Sequence, residues 1–197
     1  LALGLLIIFG MYLIVGMVAA ADTIIIGTKD AAKEQCVEDG EFTVFAPLSD
    51  SESKKLTDQG ILLEEHFYLD YELEDDSVLR IFTVRQEIDL ARADIGNLPK
   101  KKGEILLEKQ YAKEHNLTVG DAIKIGGHTF TISGIGSAPD YDAPYRNLSD
   151  SAVDSSQFGI AFFTKDDYQM LKSEQKSMKS EEYVYAYLLN QKMSNHK

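Results

Sequence analysis

The stretch from Leu1 to Ala21 holds no charged residue and no proline, and it constrains everything that follows it. At the rise of an α-helix, a run of this length spans about 30 Å, the thickness of a bilayer's hydrocarbon core. One crossing is therefore expected. Two readings compete. Ala19-Ala20-Ala21 before Asp22 fits the small-residue site at which a secretory signal peptide is cut. The apolar stretch, however, exceeds the roughly 7–15 residues of a usual signal core, so its length favours a spanning helix. A start at Leu rather than Met is expected of a piece whose flank lies upstream.

Every charge lies after Ala21, and the balance is acidic: 32 Asp and Glu against 20 Lys and Arg, a formal net charge of -12. No basic cluster sits beside the apolar run, and such a cluster is what holds a loop in the cytoplasm. Residues after about 22 are thus expected on the extracytoplasmic side of a cell membrane. The same charge excludes nucleic acid as a partner, because phosphate binding needs a basic stripe. The one basic run, Lys100 to Lys102 between Pro99 and Gly103, reads as a solvated turn. Cys36 is the only cysteine, so no disulfide closes within the chain, and on a predicted helix it reads as a small buried apolar residue.

Local patterns point to an α+β fold. Asp22 to Glu38 keeps helical character and extends the spanning helix as a stalk, with Gly40 as its stop. Glu41 to Ala46 is rich in strand formers, and Ser49 with Glu52 forms a capping box that opens a helix ending near Gly60. From Phe67 to Glu74 the alternation is strict. Phe67, Leu69, Tyr71 and Leu73 share one face, leaving Tyr68, Asp70, Glu72 and Glu74 as a solvated acidic side. Val78 to Arg85 returns as the second strand of a hairpin. Glu87 to Lys102, with Gly96-Asn97 and Pro99, reads as a linker.

Beyond it, Gly103 to Leu107 is a strand, Glu108 to Asn116 a helix, and Ala122–Ile125 pairs with His128–Ile135 across Gly126-Gly127. Ala138 to Gln157 is loop-like. Phe158 to Thr164 is an apolar strand, followed by a helix over Lys165 to Ser173 and a last strand, Tyr183 to Leu189. The expected organisation is a transmembrane helix over 1–21 and a helical stalk over 22–40. A βαβ-type mixed-sheet domain then uses both ends of the chain, 41–97 and 158–197, around a small β-rich insert over 98–157.

No motif marks a catalytic, cofactor-binding or metal residue in the sequence. Gly134-Ile-Gly136-Ser-Ala begins like a dinucleotide loop, but Pro139 stands where the third glycine belongs, and the serine lacks a nucleophile-elbow pattern. His66, His115, His128 and His196 fall in different elements without ligand spacing and read as surface or edge residues. Asp140, Asp142, Asp150 and Asp154 are the best cation candidates, yet the glycine and terminal Glu of a calcium loop are missing, so a solvated loop is favoured. Asn116-Leu-Thr118 and Asn147-Leu-Ser149 match glycosylation acceptors. Gly16 and Ala20, four apart, suit close helix packing.

In combination these residues resemble a known family. Gly103-Glu-Ile-Leu-Leu107, Tyr111-Ala112, Leu117-Thr-Val-Gly-Asp121, Ile123-Lys-Ile125, Phe130 to Ile135 and Pro139-Asp-Tyr141 together resemble the extracytoplasmic domain of FtsX-like, MacB-type ABC transporter permeases. The resemblance covers nearly the whole chain. It implies a non-catalytic membrane subunit that pairs with a second permease copy, lies among membrane lipid and binds a cytoplasmic ABC ATPase. Hydrolysis on that partner would drive substrate export or extraction, or signalling to an extracellular peptide, lipoprotein or hydrolase. The substrate-binding residues stay unknown, because no substrate motif matches these positions. The alternative is a secreted or singly anchored extracellular binding module, and a third reading is a hydrolase with an unrecognised site, which loss of activity on changing Asp140 and Asp142 together would support.

Overall fold

The computed structural model describes residues 2–147, 149–174 and 179–189. The chain forms two compact units, residues 1–34 and residues 35–197.

The first unit is a single helix, α1 (Ala2–Glu34), of 33 residues, about 50 Å long at the α-helical rise. Its large apolar side chains, among them Phe9, Tyr12, Ile14 and Met17, are exposed. Up to Ala21 the helix carries no charge, and such a segment with its apolar side chains unburied by protein suits lipid. It is long and apolar enough to cross a membrane, as an anchor or a signal sequence would be. Thr23 does not interrupt it, because its hydroxyl donates to the Ala19 carbonyl one turn back at 2.8 Å.

The second unit is mixed α+β. Its elements are β1 (Gly40–Val44), α2 (Asp50–Asp58), β2 (Ile61–Glu65), β3 (Tyr68–Glu72), β4 (Val78–Thr83), β5 (Arg92–Gly96) and β6 (Glu104–Glu108). After these come α3 (Lys109–Glu114), β7 (Ala122–Ile125), β8 (His128–Ser137), β9 (Phe158–Phe163), α4 (Lys165–Ser173) and β10 (Tyr183–Leu189). The expected capping box opens α2: Ser49 Oγ accepts from the Glu52 N–H, and the Glu52 carboxylate accepts from the Ser49 N–H at 2.8 Å.

Strands from both ends of the chain pair, as the fold class requires. β10 lies between β1 and β2, antiparallel to both. The larger sheet runs β3-β4-β9-β6-β8-β5, with β7 also paired to β8. A bridge between Tyr68 and Glu182 links the two sheets. Within the larger sheet, β4 and β9 are parallel, while β6 and β9 are antiparallel. The β-rich stretch 98–157 is thereby continuous with the strands on either side of it in sequence.

All six residues of β9 are buried, which fits a central strand covered on both faces. Ala161 and Phe163 join Leu79, Ile81, Leu107, Tyr111 and Leu171 in the core beneath α3 and α4. Phe158, Ile160 and Phe162 face the opposite way and pack with Phe82 and Ala138, with Tyr141 against them.

Four local expectations change. The helical stalk ends at Glu34 rather than near residue 40, and Cys36 sits in a turn with φ of 51° rather than on a helix. The acidic side of residues 67–74 is solvated only in part: Glu72 and Glu74 are exposed, but Asp70 is buried against Arg80. The supposed linker 87–102 contains β5, which pairs with β8. Its sequence, Arg-Ala-Asp-Ile-Gly, has too few β-branched or aromatic residues to announce a strand. What admits it is its partner, since a Cβ added to Gly136 would overlap the Arg92 carbonyl oxygen, and one on Gly134 the Asn97 carbonyl oxygen. The Gly-x-Gly that begins like a dinucleotide loop is thus a close strand approach.

Gly136→Ala is therefore expected to lose stability by about 1–3 kcal/mol, since the obstacle is backbone and cannot rotate away. Hydrogen exchange should show residues 92–96 deprotected while β9 stays protected. Unchanged protection of β5 would contradict the packing argument.

Candidate functional site

Two hollows are prominent. A broad groove of about 860 Å³ runs past Thr57, Phe67, Lys100, Tyr168, Lys172 and Tyr185. A smaller cavity of about 510 Å³ has the buried His66, Arg80 and Arg85 in its wall, together with Glu38, Asp140 and Tyr141. The smaller cavity is the candidate site.

Arg85 organises it. The residue follows β4 and is 4% exposed. Its Nη1 and Nη2 each donate to one oxygen of Asp140 at 2.7 Å, and Nη1 also donates to the Asp89 carbonyl at 3.3 Å. The guanidinium lies 4.9 Å from the Phe82 ring centre and 5.4 Å from that of Phe162. Burial works against its charge, but the Asp140 carboxylate outweighs burial and holds the Arg85 pKa above its usual value. Beside it, Arg80 forks onto Asp70 at 2.9 and 3.1 Å, donates to the Tyr141 hydroxyl at 3.2 Å, and stacks 4.0 Å over Tyr68.

The acidic side of the site is less well compensated. Asp89 is fully buried and His66 is 3% exposed. The Glu38 N–H donates to Asp89 Oδ1 at 3.1 Å, and Asp89 Oδ2 is left without a hydrogen bond. That free oxygen stands 3.9 Å from His66 Nδ1, and His66 Nε2 stands 3.9 Å from Glu64. Burial, reinforced by the charge of Asp89, pushes the Glu38 carboxyl up to about 8. Burial and the Asp140 charge push Asp89 up to about 6. Burial also draws the His66 pKa down, against the pull of Glu64.

Glu64 anchors the neighbouring turn. Its carboxylate accepts from the N–H groups of Gln86, Glu87 and Ile88 at 2.7, 3.1 and 2.6 Å. Burial would raise its pKa, but His66 and these backbone donors more than reverse that. The turn they shape carries Asp89 at φ of 49°, a conformation that Asp and Asn tolerate better than most residues.

Of the four acids expected to converge on a cation, only Asp140 lines this cavity, where it is spent on Arg85. Asp142 lies 3.6 Å from Lys109. Asp150 accepts from the Asn147 N–H, and Asp154 accepts from Ser156. Local turns engage Asp150 and Asp154, and among the described residues these four acids are not grouped closely enough to share an ion. Among the described residues, the group of His and carboxylates close enough to share an ion is Glu38, His66 and Asp89, with ligand atoms within 4.8 Å of one another.

His66 is thus a core residue rather than a surface one. His115 and His128 are side-paired, with Asp75 at 3.1 Å and Glu174 at 2.6 Å. His196 lies outside the described residues. Glu38, Arg85 and Asp89 match no motif because Glu38 follows α1 while the other two lie in the turn after β4, far away in sequence. One signal was present: Arg80 interrupts the largely apolar β4 and Arg85 follows it by two residues, and a buried arginine demands a buried acid. No protein-family model matches the chain, and no curated protein matches it either.

Proposed function

We propose that this chain is the extracytoplasmic portion of an ABC transporter permease, coupling ATP hydrolysis on a separate cytoplasmic subunit to export, extraction or mechanical signalling. The observation that carries this reading is how the segment after α1 is fastened. The Leu90 N–H donates to the Gln35 carbonyl at 2.8 Å, and the Asp89 N–H to the Cys36 carbonyl at 3.1 Å. Gln35 Nε2 returns a bond to the Leu90 carbonyl at 3.2 Å, and the Glu38 N–H bonds Asp89 Oδ1 at 3.1 Å.

Four hydrogen bonds tie the segment following an apolar helix to the turn beside the charged cavity. A displacement of that segment is delivered to Asp89 rather than lost in a slack linker. The sequence resemblance points the same way. The helix also runs unbroken through Ala19-Ala20-Ala21, which favours an anchor over a cleaved leader. In this reading the domain faces outward, and a second permease copy completes the transporter.

Two measurements test it together. A cysteine placed at exposed Ser51, in a Cys36→Ala background, should react in intact cells with a membrane-impermeant maleimide. The protein extracted from its own membranes should bring down an ATP-hydrolysing subunit at comparable stoichiometry. Protection of the cysteine until the cells are lysed, or purification without any nucleotide-hydrolysing partner, would overturn the proposal.

A further inference from the structure

The turn after β4 leaves a chemical demand that the protein itself does not meet. Asp89 Oδ2, His66 Nε2 and Glu38 Oε2 are all buried without a hydrogen-bond partner. A stranded donor or acceptor costs roughly 1–3 kcal/mol, and more when it is charged, so such groups seldom cluster without a reason. Arg85 spends Nη1 and Nη2 on Asp140 and the Asp89 carbonyl, and its Nε is likewise buried without reaching any of these atoms. Asp89 therefore keeps a buried carboxylate oxygen beside Glu38 and His66 that no side chain of the protein partners.

We propose that Glu38, His66 and Asp89 form a binding site for one zinc-type divalent ion, with Glu64 as the outer carboxylate that orients His66. Two atoms bound to one ion at about 2.0–2.2 Å lie at most about 4.4 Å apart. The 3.9 Å between His66 Nδ1 and Asp89 Oδ2 falls inside that limit, and the three-residue group, whose ligand atoms lie within 4.8 Å of one another, has to draw in by a few tenths of an ångström at most to close on the ion.

Glu64 faces the opposite ring nitrogen of His66 at 3.9 Å. A small closure there would give the carboxylate–histidine–metal order that fixes the tautomer and strengthens the ligand. Three backbone donors already hold Glu64 in place. An imidazole among few carboxylates selects zinc over calcium, which asks for six or more oxygens. Glu38 and His66 line the 510 Å³ cavity, which supplies a way in from solvent. Three protein ligands leave a fourth position open to water or to a ligand's donor atom.

This inference goes beyond the permease reading and does not depend on it. The test uses the whole chain in detergent, stripped with a chelator and titrated with zinc chloride alone. One zinc ion should be retained per chain after desalting, with a rise in melting temperature. Asp89→Asn keeps the turn's backbone preference and should weaken binding at least 100-fold, as should His66→Gln. Glu64→Gln should weaken it about 10- to 100-fold, the range for outer-shell partners. Asp150→Asn should leave it unchanged.

Circular dichroism of each variant checks folding. Should the two buried variants not fold, Glu38→Gln decides the matter: a loss of tenfold or more supports the site, and an unchanged affinity overturns it. The proposal is also overturned if no saturable stoichiometric binding occurs, if calcium chloride stabilises as strongly as zinc chloride, or if Asp150→Asn abolishes binding.

Discussion

Arg85→Ala is expected to destabilise the 35–197 domain by about 3–5 kcal/mol, the cost of stranding a buried charge. For a domain of this size that corresponds to a fall in melting temperature on the order of 10 °C. The reason lies in what the arginine leaves behind more than in what it contributes. Asp140 loses both of its 2.7 Å donors, and the Asp89 carbonyl loses one. Phe82 and Phe162 lose the cation beside their rings. Combining Arg85→Met with Asp140→Leu should recover part of the loss, because an apolar pair has no charge to desolvate. Thermal melts of the whole chain in detergent, followed by tyrosine fluorescence, give the comparison. A single variant that melts like the parent, or a double variant worse than the sum of the singles, would contradict this account.

Arg80→Ala should cost a similar amount, about 3–5 kcal/mol, with a different local signature. Asp70 is 5% exposed and depends on the Arg80 fork. The same guanidinium reaches the Tyr141 hydroxyl at 3.2 Å and the Arg146 carbonyl at 3.3 Å. Its loss should therefore free the segment from Pro139 to Asn147 as well as weaken β3 against β4. Hydrogen exchange is the discriminating measurement: increased exchange over 139–147 is expected for Arg80→Ala. Arg80→Lys should fall between the two, since an ammonium keeps the charge but cannot fork onto a carboxylate. Full retention of stability in the lysine variant would show that charge alone, and not the fork, matters.

The elements that were legible beforehand are those whose periodicity is local. α1 shows as an unbroken apolar run, the capping box of Ser49 and Glu52 as a three-residue spacing, and the β7–β8 hairpin as paired glycines between alternating strands. Each needs only neighbours in sequence. β5 was not legible, because Arg92 to Gly96 has weak strand propensity and owes its state to the space left above Gly134 and Gly136. The burial of Asp70 is hidden from the sequence for a related reason. Alternation assigns a residue to a face but does not say whether that face meets water or the 139–147 segment.

The candidate site was less legible than the fold. Glu38, His66, Arg85 and Asp89 come from the segment after α1, the link between β2 and β3, and the turn after β4. Their spacing of 28, 19 and 4 residues matches no ligand or catalytic pattern, as the positions in the chain show. Conversely, the acids of 140–154 looked like a site because they were close in sequence. Short side-chain-to-backbone turns consumed Asp150 and Asp154, and Arg85 consumed Asp140.

Composition and periodicity alone settled an apolar helix of membrane-crossing length, an acidic α+β domain behind it, the absence of any intrachain disulfide and most strand and helix positions. These follow from local steric preference and from the one-dimensional pattern of apolar residues. Tertiary structure decided the strand order, the role of Gly134 and Gly136, and the meeting of three acids, a histidine and an arginine beneath one turn. The physical reason is that desolvation and charge compensation act through space. Whether a carboxylate is ordinary or strained depends on which groups the fold brings within a few ångströms of it and on whether water can still reach it.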